Sequence, residues 1–304
     1  MSRIASRSAD SRPSSVGADA ETLLRDAEQR IAASRNIEHW QPGLARWDAL
    51  VMLAHVLGES PDGVDHQEVT HAQERRFESM VDRRLTGEPV NYITGHFEFC
   101  GLHLMVRSGV FSPRSSSEHL VDEAVTRLRR RRGHRVAVDV ATGSGAIALA
   151  IAVATRDCEA WGLDISADAI RLARDNARHL DLGAVRFRVS DMLTSLPASL
   201  RGEVGVFTIH PPYVARAEVK TLPAEIRRFE PRSTLTDGSE DGLGLVRRLA
   251  ADALPWLRPG GWVLVEIAPY LARATSTILR RAGLRDVRSQ RDSLGVTRVV
   301  GGRL

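Results

Sequence analysis

The sequence predicts an α/β protein in which a mostly parallel, seven-stranded sheet is preceded by a small helical domain and a β-hairpin linker. Three observations lead to this prediction. Apolar residues recur at helical spacing over residues 20–89, they alternate at strand-like spacing over residues 90–112, and short apolar runs alternate with helical segments over residues 113–304. Strands that alternate with helices favour a parallel sheet covered on both faces. At 304 residues, the chain is long enough for two unequal domains.

Residues 1–19 form an N-terminal extension rich in Ser, Arg and Ala. This extension lacks apolar periodicity, and we expect it to be disordered. In the region that follows, apolar residues recur at helical spacing as far as residue 57, with an interruption at Pro42-Gly43. Another helix is predicted for residues 67–85. Together these segments predict the small helical domain.

The segment from residue 90 to residue 111 alternates apolar and polar positions between glycines, which is typical of a β-hairpin. We expect this hairpin to link the helical domain to the sheet. A helix is predicted for residues 115–130, and strands and helices then alternate to the end of the chain. The predicted strands cover residues 135–140, 159–163, 185–189, 204–209 and 261–266, followed by an edge pair that ends near residue 300.

The composition excludes several classes of protein. The chain has no run of about 18 apolar residues, so no membrane-spanning segment is predicted. Its N-terminus lacks the apolar stretch of a signal peptide, and Cys100 and Cys158 are its only cysteines. A disulfide framework is therefore not expected, and the sequence favours a protein of the reducing cytoplasm.

The net charge is +4, and nearly all of the positive charge is carried by arginine, because Lys220 is the only lysine. The densest group of arginines lies between the predicted helix and the first predicted strand and comprises Arg127, Arg129, Arg130, Arg131, Arg132 and Arg135. Such a group complements the dipole at the C-terminus of a helix, or it forms a contact surface for RNA or an acidic partner. No aromatic residues interleave with these arginines as stacking platforms, which favours the first interpretation, so nucleic acid is not the expected partner.

The first predicted strand ends in Asp139 and runs into a glycine-rich turn, with Gly143 and Gly145, that opens a helix. Glycines at such a turn let the backbone approach a ligand closely, at the edge where open α/β sheets bind ligands. A pyrophosphate-binding loop prefers the spacing G-x-G-x-x-G, and a carboxylate one turn before the glycines would repel phosphate. Asp139 favours instead a cationic ligand end, such as the amino group of S-adenosylmethionine (SAM).

The next two predicted strands also end in carboxylates, Asp164 and Asp191. An acid at the end of the second strand accepts the hydroxyls of a ribose, in NAD enzymes as well as in enzymes that bind SAM. Met192 adds an apolar surface for an adenine ring. Each acid alone would also serve as a helix N-cap, but three sheet-end carboxylates on successive strands favour a nucleoside site. The predicted cofactor-binding residues are Asp139, Ala141, Thr142, Gly143, Gly145, Asp164, Ile165, Asp191, Met192 and His210.

The fourth predicted strand ends in His210-Pro211-Pro212-Tyr213. Two prolines remove two backbone donors and fix φ, which gives a rigid extended turn. The turn presents a side chain, bare carbonyls and an aromatic ring beside the expected cofactor. We therefore expect these four residues to be catalytic.

Several motifs resemble those of the HemK/PrmC family of release factor glutamine methyltransferases, which methylate the side-chain amide of a glutamine. The resemblance covers about residues 20–304 and rests on residues 83–95, Phe97-Glu98-Phe99, residues 139–145, Asp164, Phe229-Glu230-Pro231 and residues 292–299. It implies a Rossmann-like methyltransferase domain, SAM as the cofactor, and a helical domain that recognises the substrate. It also implies that Phe99 of the hairpin belongs to the catalytic site.

Two motifs depart from the family pattern. The family has Asn-Pro-Pro-Tyr where this chain has His210-Pro211-Pro212-Tyr213, and it has P-R-P-x-T-E where this chain has P-R-S-S-S-E over residues 113–118. In the family, the asparagine amide oxygen and the adjacent proline carbonyl accept hydrogen bonds from the substrate amide. A neutral imidazole offers one acceptor and one donor in a bulkier ring, and it is also able to act as a general base.

The loss of the asparagine leaves three function classes open. The sequence favours a SAM-dependent methyltransferase that modifies a nitrogen or oxygen of another acceptor, such as a small metabolite, with His210 orienting or deprotonating that acceptor. The alternatives are a release factor glutamine methyltransferase in which His210 replaces the asparagine, and a SAM-binding protein without activity. No metal site is expected, because histidines without ligand spacing are scattered along the chain, namely His66, His71, His96 and His103.

Overall fold

The structure is a computed structural model that describes residues 16–38, 42–64, 67–130 and 133–304. The chain divides into two compact units, Met1–Thr94 and Gly95–Leu304. Most of the predicted N-terminal extension, residues 1–15, lies outside the described residues. Within the described ranges, every helix is too short or too polar to span a lipid bilayer. Cys100 and Cys158 are free thiols.

The first unit is mainly helical, and helix capping explains where its helices begin. Its elements are β1 (Val16–Asp19), α1 (Ala20–Ala33), α2 (Leu44–Leu57), β2 (Glu68–Thr70), α3 (His71–Leu85) and α4 (Val90–Thr94). The Asp19 side chain accepts a hydrogen bond from the Glu21 amide at the start of α1. Thr70 and Gln73 form a reciprocal capping box at the start of α3. Apolar residues of α1, α2 and α3 share one buried cluster.

Two segments of this unit differ from the prediction. Val16–Asp19, which we expected to be disordered, forms a strand that pairs antiparallel with β2. A four-residue strand whose partner lies about 50 residues away leaves no periodic signal in the sequence. Residues 90–94, predicted as part of the hairpin, form α4, because the Tyr92 and Ile93 amides donate to the Pro89 carbonyl. The hairpin is therefore shorter than predicted.

The hairpin itself opens the second unit and consists of β3 (His96–Phe99) and β4 (Leu102–Met105). Cys100 and Gly101 connect the strands with φ angles of 49° and 73°. Positive φ at both central residues is the conformation that a two-residue type I′ hairpin turn requires. The hairpin prediction is thus confirmed for its core, with corrected bounds.

The rest of the second unit alternates strands and helices. Its elements are α5 (Glu118–Arg129), β5 (Arg135–Val140), α6 (Ala146–Ala154), β6 (Cys158–Asp164), α7 (Ala167–His179), β7 (Arg186–Val189), β8 (Val204–Ile209), α8 (Ala224–Phe229), α9 (Gly244–Asp252), β9 (Leu257–Glu266), α10 (Ala272–Arg281), β10 (Arg285–Arg291) and β11 (Thr297–Arg303). Seven strands form one sheet in the order β10-β11-β9-β8-β5-β6-β7. Neighbouring strands from β9 through β7 pair in parallel, and β11 pairs antiparallel with β9 and β10. The predicted fold class is confirmed.

Alternation along the strands gives the sheet two buried faces. Val136, Val138 and Val140 of β5 pack in the apolar cluster that includes α9 and α10 residues. Ala137 of the same strand packs in the cluster formed with α5, α6 and α7. Helices therefore cover both faces. The order of the strands reverses at β5, the position at which open α/β sheets bind ligands beyond the carboxyl ends of their strands.

The arginine group at the end of α5 makes local contacts. Arg129 donates to the Ala154 carbonyl, and Arg135 donates to the Leu128 carbonyl. Arg127 pairs with Glu123 at 2.6 Å and lies over the Trp262 ring. These contacts satisfy backbone carbonyls and a carboxylate, in line with the helix-end interpretation. Arg131 and Arg132 lie outside the described residues.

Candidate active site

The carboxyl ends of the central parallel strands border a cavity of about 380 Å³. Of the ten predicted cofactor-binding residues, seven line it, namely Ala141, Gly143, Asp164, Ile165, Asp191, Met192 and His210. They come together because parallel strands end at the same edge of the sheet, and each strand carries its own polar residue there. The cavity lies within the size range of small-molecule sites.

Asp164 is the half-buried carboxylate of the cavity wall. Its Oδ2 accepts the Gly143 amide and its Oδ1 accepts the Ser166 amide, both at 2.9 Å. Burial raises the pKa of Asp164 above its ordinary value, while these backbone amides lower it. Each carboxylate oxygen has a second lone pair, so the group is still able to accept two hydroxyls. That donor–acceptor set suits a ribose diol.

Asp139 does not line the cavity, which differs from the predicted contact with a cationic ligand end. Its side chain is buried, and it accepts hydrogen bonds from Thr142 Oγ1 at 2.6 Å and Thr208 Oγ1 at 2.7 Å. Strand alternation explains the difference, because Asp139 points to the same face as Ala137, beneath the glycine-rich turn. Asp139 therefore stabilises the glycine-rich turn through its hydrogen bond with Thr142. Thr142 borders a second, smaller cavity.

Burial raises the pKa of Asp139 from 3.8 to about 7. The stability that its protonated form contributes is complete below the unfolded-state pKa and is lost as the pH rises towards 7. We therefore expect the unfolding free energy of the wild type, relative to that of Asp139→Asn, to fall between about pH 4 and 7, by at most ~1.4 kcal/mol per pH unit. Urea unfolding of both proteins across this range measures the difference. Parallel pH profiles would contradict the burial effect.

The two glycines of the turn have different roles. Gly143 lines the cavity with φ +56°, and a Cβ there would meet no heavy atom within 4 Å. Gly145 has φ +84°, and its Cβ would lie 2.9 Å from the Phe187 ring and 3.0 Å from Ala173. Gly145 therefore allows close packing of the turn against neighbouring elements, and it does not line either cavity at this edge of the sheet.

Asp191 lies in the cavity wall beside a partner that the sequence did not indicate. Arg248 of α9 donates to the Asp191 carboxylate at 2.9 Å, and this hydrogen bond lowers the pKa of Asp191. Both side chains are exposed and both line the cavity. Met192 lies next to them with a buried side chain and φ +52°. Together they give this end of the cavity one apolar wall and one polar rim.

His210 forms the corner of the cavity with two aromatic neighbours. Its ring stacks on Tyr213 at a centroid distance of 5.7 Å and 12°, and Phe111 approaches edge-on at 5.4 Å. His210 Nδ1 lies 3.1 Å from Ser117 Oγ and 3.3 Å from Glu266 Oε2. Sequence reasoning did not name Phe111, Ser117 or Glu266 as site residues, although Ser117 belongs to the segment 113–118 that departs from the family pattern.

The segment 113–118 and the Phe229-Glu230-Pro231 motif contact each other near this corner. Arg114 donates to Glu230 of the Phe-Glu-Pro motif at 2.8 Å, and the Glu230 carboxylate is buried. The Arg114 guanidinium also lies 4.7 Å from the centroid of the Phe111 ring. Arg114 therefore packs on the same Phe111 ring that contacts His210. This hydrogen bond connects the two segments beside His210.

The remaining predicted catalytic residues surround the same corner. Phe99 is fully buried and borders a second cavity of about 40 Å³, together with Phe111, Ser117 and His210. The Pro212 carbonyl accepts the Asp237 amide at 3.1 Å. Within the described part of the chain, neither the Pro211 carbonyl nor His210 Nε2 has a hydrogen-bond partner.

Residues 16–38, 42–64, 67–130 and 133–304 contain no cluster of three or more His, Cys, Asp or Glu side chains able to hold a metal ion. His96 and His103 stack on each other at 4.4 Å, while His66 lies outside those ranges.

Comparisons with known proteins give a consistent result. Two family models match the chain, the PrmC N-terminal domain over residues 22–95 and a methyltransferase domain over residues 132–208. A release factor glutamine methyltransferase of Bordetella pertussis is 39% identical, over 86% of this chain and 96% of the relative. A release factor glutamine methyltransferase of Koribacter versatilis is 36% identical, over 78% of this chain and 82% of the relative. A solved methyltransferase from Pyrococcus furiosus shares the fold, with a TM-score of 0.50 and 18% identity, over 67% of this chain and 89% of that chain.

Proposed function

Because the chain belongs to the HemK/PrmC family of release factor glutamine methyltransferases and is a SAM-dependent methyltransferase, we propose that its acceptor is a glutamine side chain of a peptide chain release factor. The sequence alone favoured a nitrogen or oxygen of another acceptor, such as a small metabolite. The relatives do not support a small-molecule acceptor, and their names favour the alternative with a protein acceptor.

The observation that carries this proposal is that two polar atoms at the corner, His210 Nε2 and the Pro211 carbonyl oxygen, have no hydrogen-bond partner among the described residues. Nε2 is an acceptor when the ring proton lies on Nδ1. A primary amide carries two N–H donors on its nitrogen, so two acceptors satisfy both of them. Directing both N–H bonds away from the cofactor leaves the nitrogen lone pair facing it. His210 thus supplies one acceptor where the family has the oxygen of asparagine.

The space beside His210 also supports a side-chain acceptor. The second cavity, bordered by Phe99, Phe111 and His210, has a volume of about 40 Å³. Enclosed sites for small molecules generally measure about 300–1,000 Å³. A metabolite would have to share the larger cavity with the cofactor, whereas a glutamine side chain reaches the corner from outside and needs little enclosed volume.

The larger cavity fits SAM by the chemistry of its residues. We propose that Asp164 accepts the ribose hydroxyls, that the open backbone at Ala141 and Gly143 faces the cationic amino-acid end, and that Ile165 and Met192 contact the adenine ring. Asp191 provides a polar rim for the exocyclic amine. When bound, SAM supplies the methyl group. The residues of the chain orient the acceptor nitrogen, exclude water and accept its N–H bonds.

Mass spectrometry of a purified release factor, incubated with the enzyme and SAM, tests the proposal. We expect one glutamine-containing peptide to gain the mass of one methylene group. A release factor in which that glutamine is replaced by glutamate is the matched control and should gain nothing. An unmodified wild-type release factor, in the presence of enzyme that binds SAM, would reject a release factor as the acceptor.

Variants of His210 test its role at the corner. We expect His210→Ala to lower kcat by about 10- to 100-fold, because one of the two amide acceptors is lost. His210→Asn restores one acceptor oxygen and should retain more activity than His210→Ala. Steady-state kinetics with the release factor measure both. Equal activity of His210→Ala and the wild type would show that the residue does not contact the acceptor.

A further inference from the structure

Glu266 is a buried carboxylate beside His210 that the preceding mechanism does not use. It ends β9, its side chain is almost completely buried, and Ser116 Oγ donates to its Oε1 at 3.2 Å. Its Oε2 has no hydrogen-bond partner within the described residues, and His210 Nδ1 lies 3.3 Å away. A buried carboxylate oxygen without a donor is costly, so a proton on the neighbouring Nδ1 is stabilising.

A carboxylate oxygen 3.3 Å from Nδ1 favours one form of the imidazole ring. When Nδ1 carries the proton and faces Glu266, Nε2 of the neutral ring is a bare acceptor. Ser117 Oγ, 3.1 Å from Nδ1, is compatible with this form, because a hydroxyl is able to accept as well as donate. The hydrogen bond made by one ring nitrogen determines the state of the other.

We propose that Glu266 is a positioning residue that holds His210 with its proton on Nδ1, so that Nε2 takes the proton released by the acceptor nitrogen. This inference rests on the proposed function for the identity of the acceptor. In the step, the amide nitrogen forms a bond to the methyl carbon as the sulfur–carbon bond breaks, and that electron pair stays on sulfur. The nitrogen loses one proton to Nε2, and the Glu266 carboxylate stabilises the resulting imidazolium.

The chemistry differs from that of the family motif. An asparagine amide oxygen accepts a hydrogen bond but is a very weak base at neutral pH, whereas histidine exchanges a proton between about pH 5 and 8. The change from asparagine to histidine therefore adds a local proton acceptor to the orienting role. A buried carboxylate next to the ring is the partner that such a base requires.

The groups that face His210 come from several elements. Glu266 approaches from β9 and Ser117 from the segment before α5, while Tyr213 stacks from the turn after β8. Phe111 covers the ring edge. Burial raises the pKa of Tyr213, and the Glu266 charge raises it further, so the phenol remains neutral at neutral pH. Among these neighbours of the ring, Glu266 is the one that carries a carboxyl group.

Nitrogen-15 NMR of the free protein, labelled at histidine, tests the first part of the inference without any acceptor. We expect the His210 spectrum at neutral pH to show a protonated Nδ1 and an unprotonated Nε2, with the signals assigned by their loss in His210→Asn. Glu266→Gln, which has nearly the same shape, should weaken this preference. A wild-type ring protonated on Nε2 would overturn the proposal.

The pH dependence of kcat tests the second part. We expect Glu266→Gln to lower kcat by about 10- to 100-fold with little change in the KM for the release factor. We also expect the acid limb of its profile to move to lower pH, because loss of the carboxylate charge disfavours the imidazolium. Calorimetric titration with SAM verifies that the variant still folds and binds the cofactor. An unchanged acid limb in an active variant would overturn the proposal.

A matched control exists near the amino-terminal end of β6, whereas the cavity lies at the carboxyl end of this strand. His134 Nε2 and Glu159 Oε2 form a second histidine–glutamate pair, 3.4 Å apart and partly exposed. Glu159→Gln makes the same chemical change away from the cavity and should leave kcat and its pH profile unchanged. If the wild type fails to methylate a release factor, the proposed function fails while the NMR result still stands. If methylation occurs but Glu266→Gln behaves like the control, only the Glu266 inference fails.

Discussion

Replacing Asp164 with alanine is expected to weaken SAM binding by about 100- to 10,000-fold. The half-buried Asp164 carboxylate is proposed to accept two ribose hydroxyls, and hydrogen bonds to a charged group are each worth about 1.5–3 kcal/mol. The substitution also removes the acceptor of the Gly143 and Ser166 amides, which hold the turn and the start of α7. Isothermal titration calorimetry with SAM and with its demethylated product measures the loss.

Asp168 provides the control for this prediction. It lies in the first turn of α7, close to Asp164 in sequence, but its side chain is exposed and pairs with Arg171 on the surface. Exposed ion pairs contribute about 0–1 kcal/mol, so Asp168→Ala should bind SAM as the wild type does. Asp164→Asn, which keeps one acceptor oxygen, should fall between the two. Full SAM affinity in Asp164→Ala would remove Asp164 from the cofactor site.

Gly242→Ala is expected to destabilise the protein by about 2–5 kcal/mol and to displace the turn His210-Pro211-Pro212-Tyr213. An ideal Cβ at Gly242 would lie 1.9 Å from the Tyr213 carbonyl oxygen and 2.6 Å from its carbonyl carbon, and the residue has φ +69°. A backbone carbonyl cannot rotate away as a flexible side chain does. The Tyr213 backbone must therefore move, and a misplaced reacting group lowers kcat by roughly 100-fold. Thermal unfolding and steady-state kinetics measure the two effects.

Gly238 separates the steric clash from backbone strain. It lies four residues earlier with φ +81°, and its Cβ would meet no heavy atom within 4 Å. Gly238→Ala should therefore cost only the left-handed strain, about 1–2 kcal/mol, with kcat retained. Similar losses of kcat in both variants would mean that the clash with the Tyr213 carbonyl is not the cause of the loss in Gly242→Ala.

The acceptor corner shows how much of the site could be predicted. The glycine-rich turn, Asp164 and the His210 turn each follow a strand, and parallel strands end at a common edge, so their convergence followed from the order of elements. The role of Asp139 did not follow. Whether a strand-end carboxylate faces a ligand or the underside of a turn depends on which face of the sheet it occupies, and β5 buries both faces.

The sequence by itself determined the fold class, the cofactor and the family. Periodicity and turn motifs involve residues that are close in the chain, so they can be recognised without knowing the tertiary contacts. Only the tertiary structure decided that Glu266 and Ser117 meet His210 and that Arg248 pairs with Asp191. These partners lie 56 to 93 residues apart in the chain, so no spacing rule links them. The pairing of β9 with β8 and of β8 with β5, together with the packing of α9, brings them into contact.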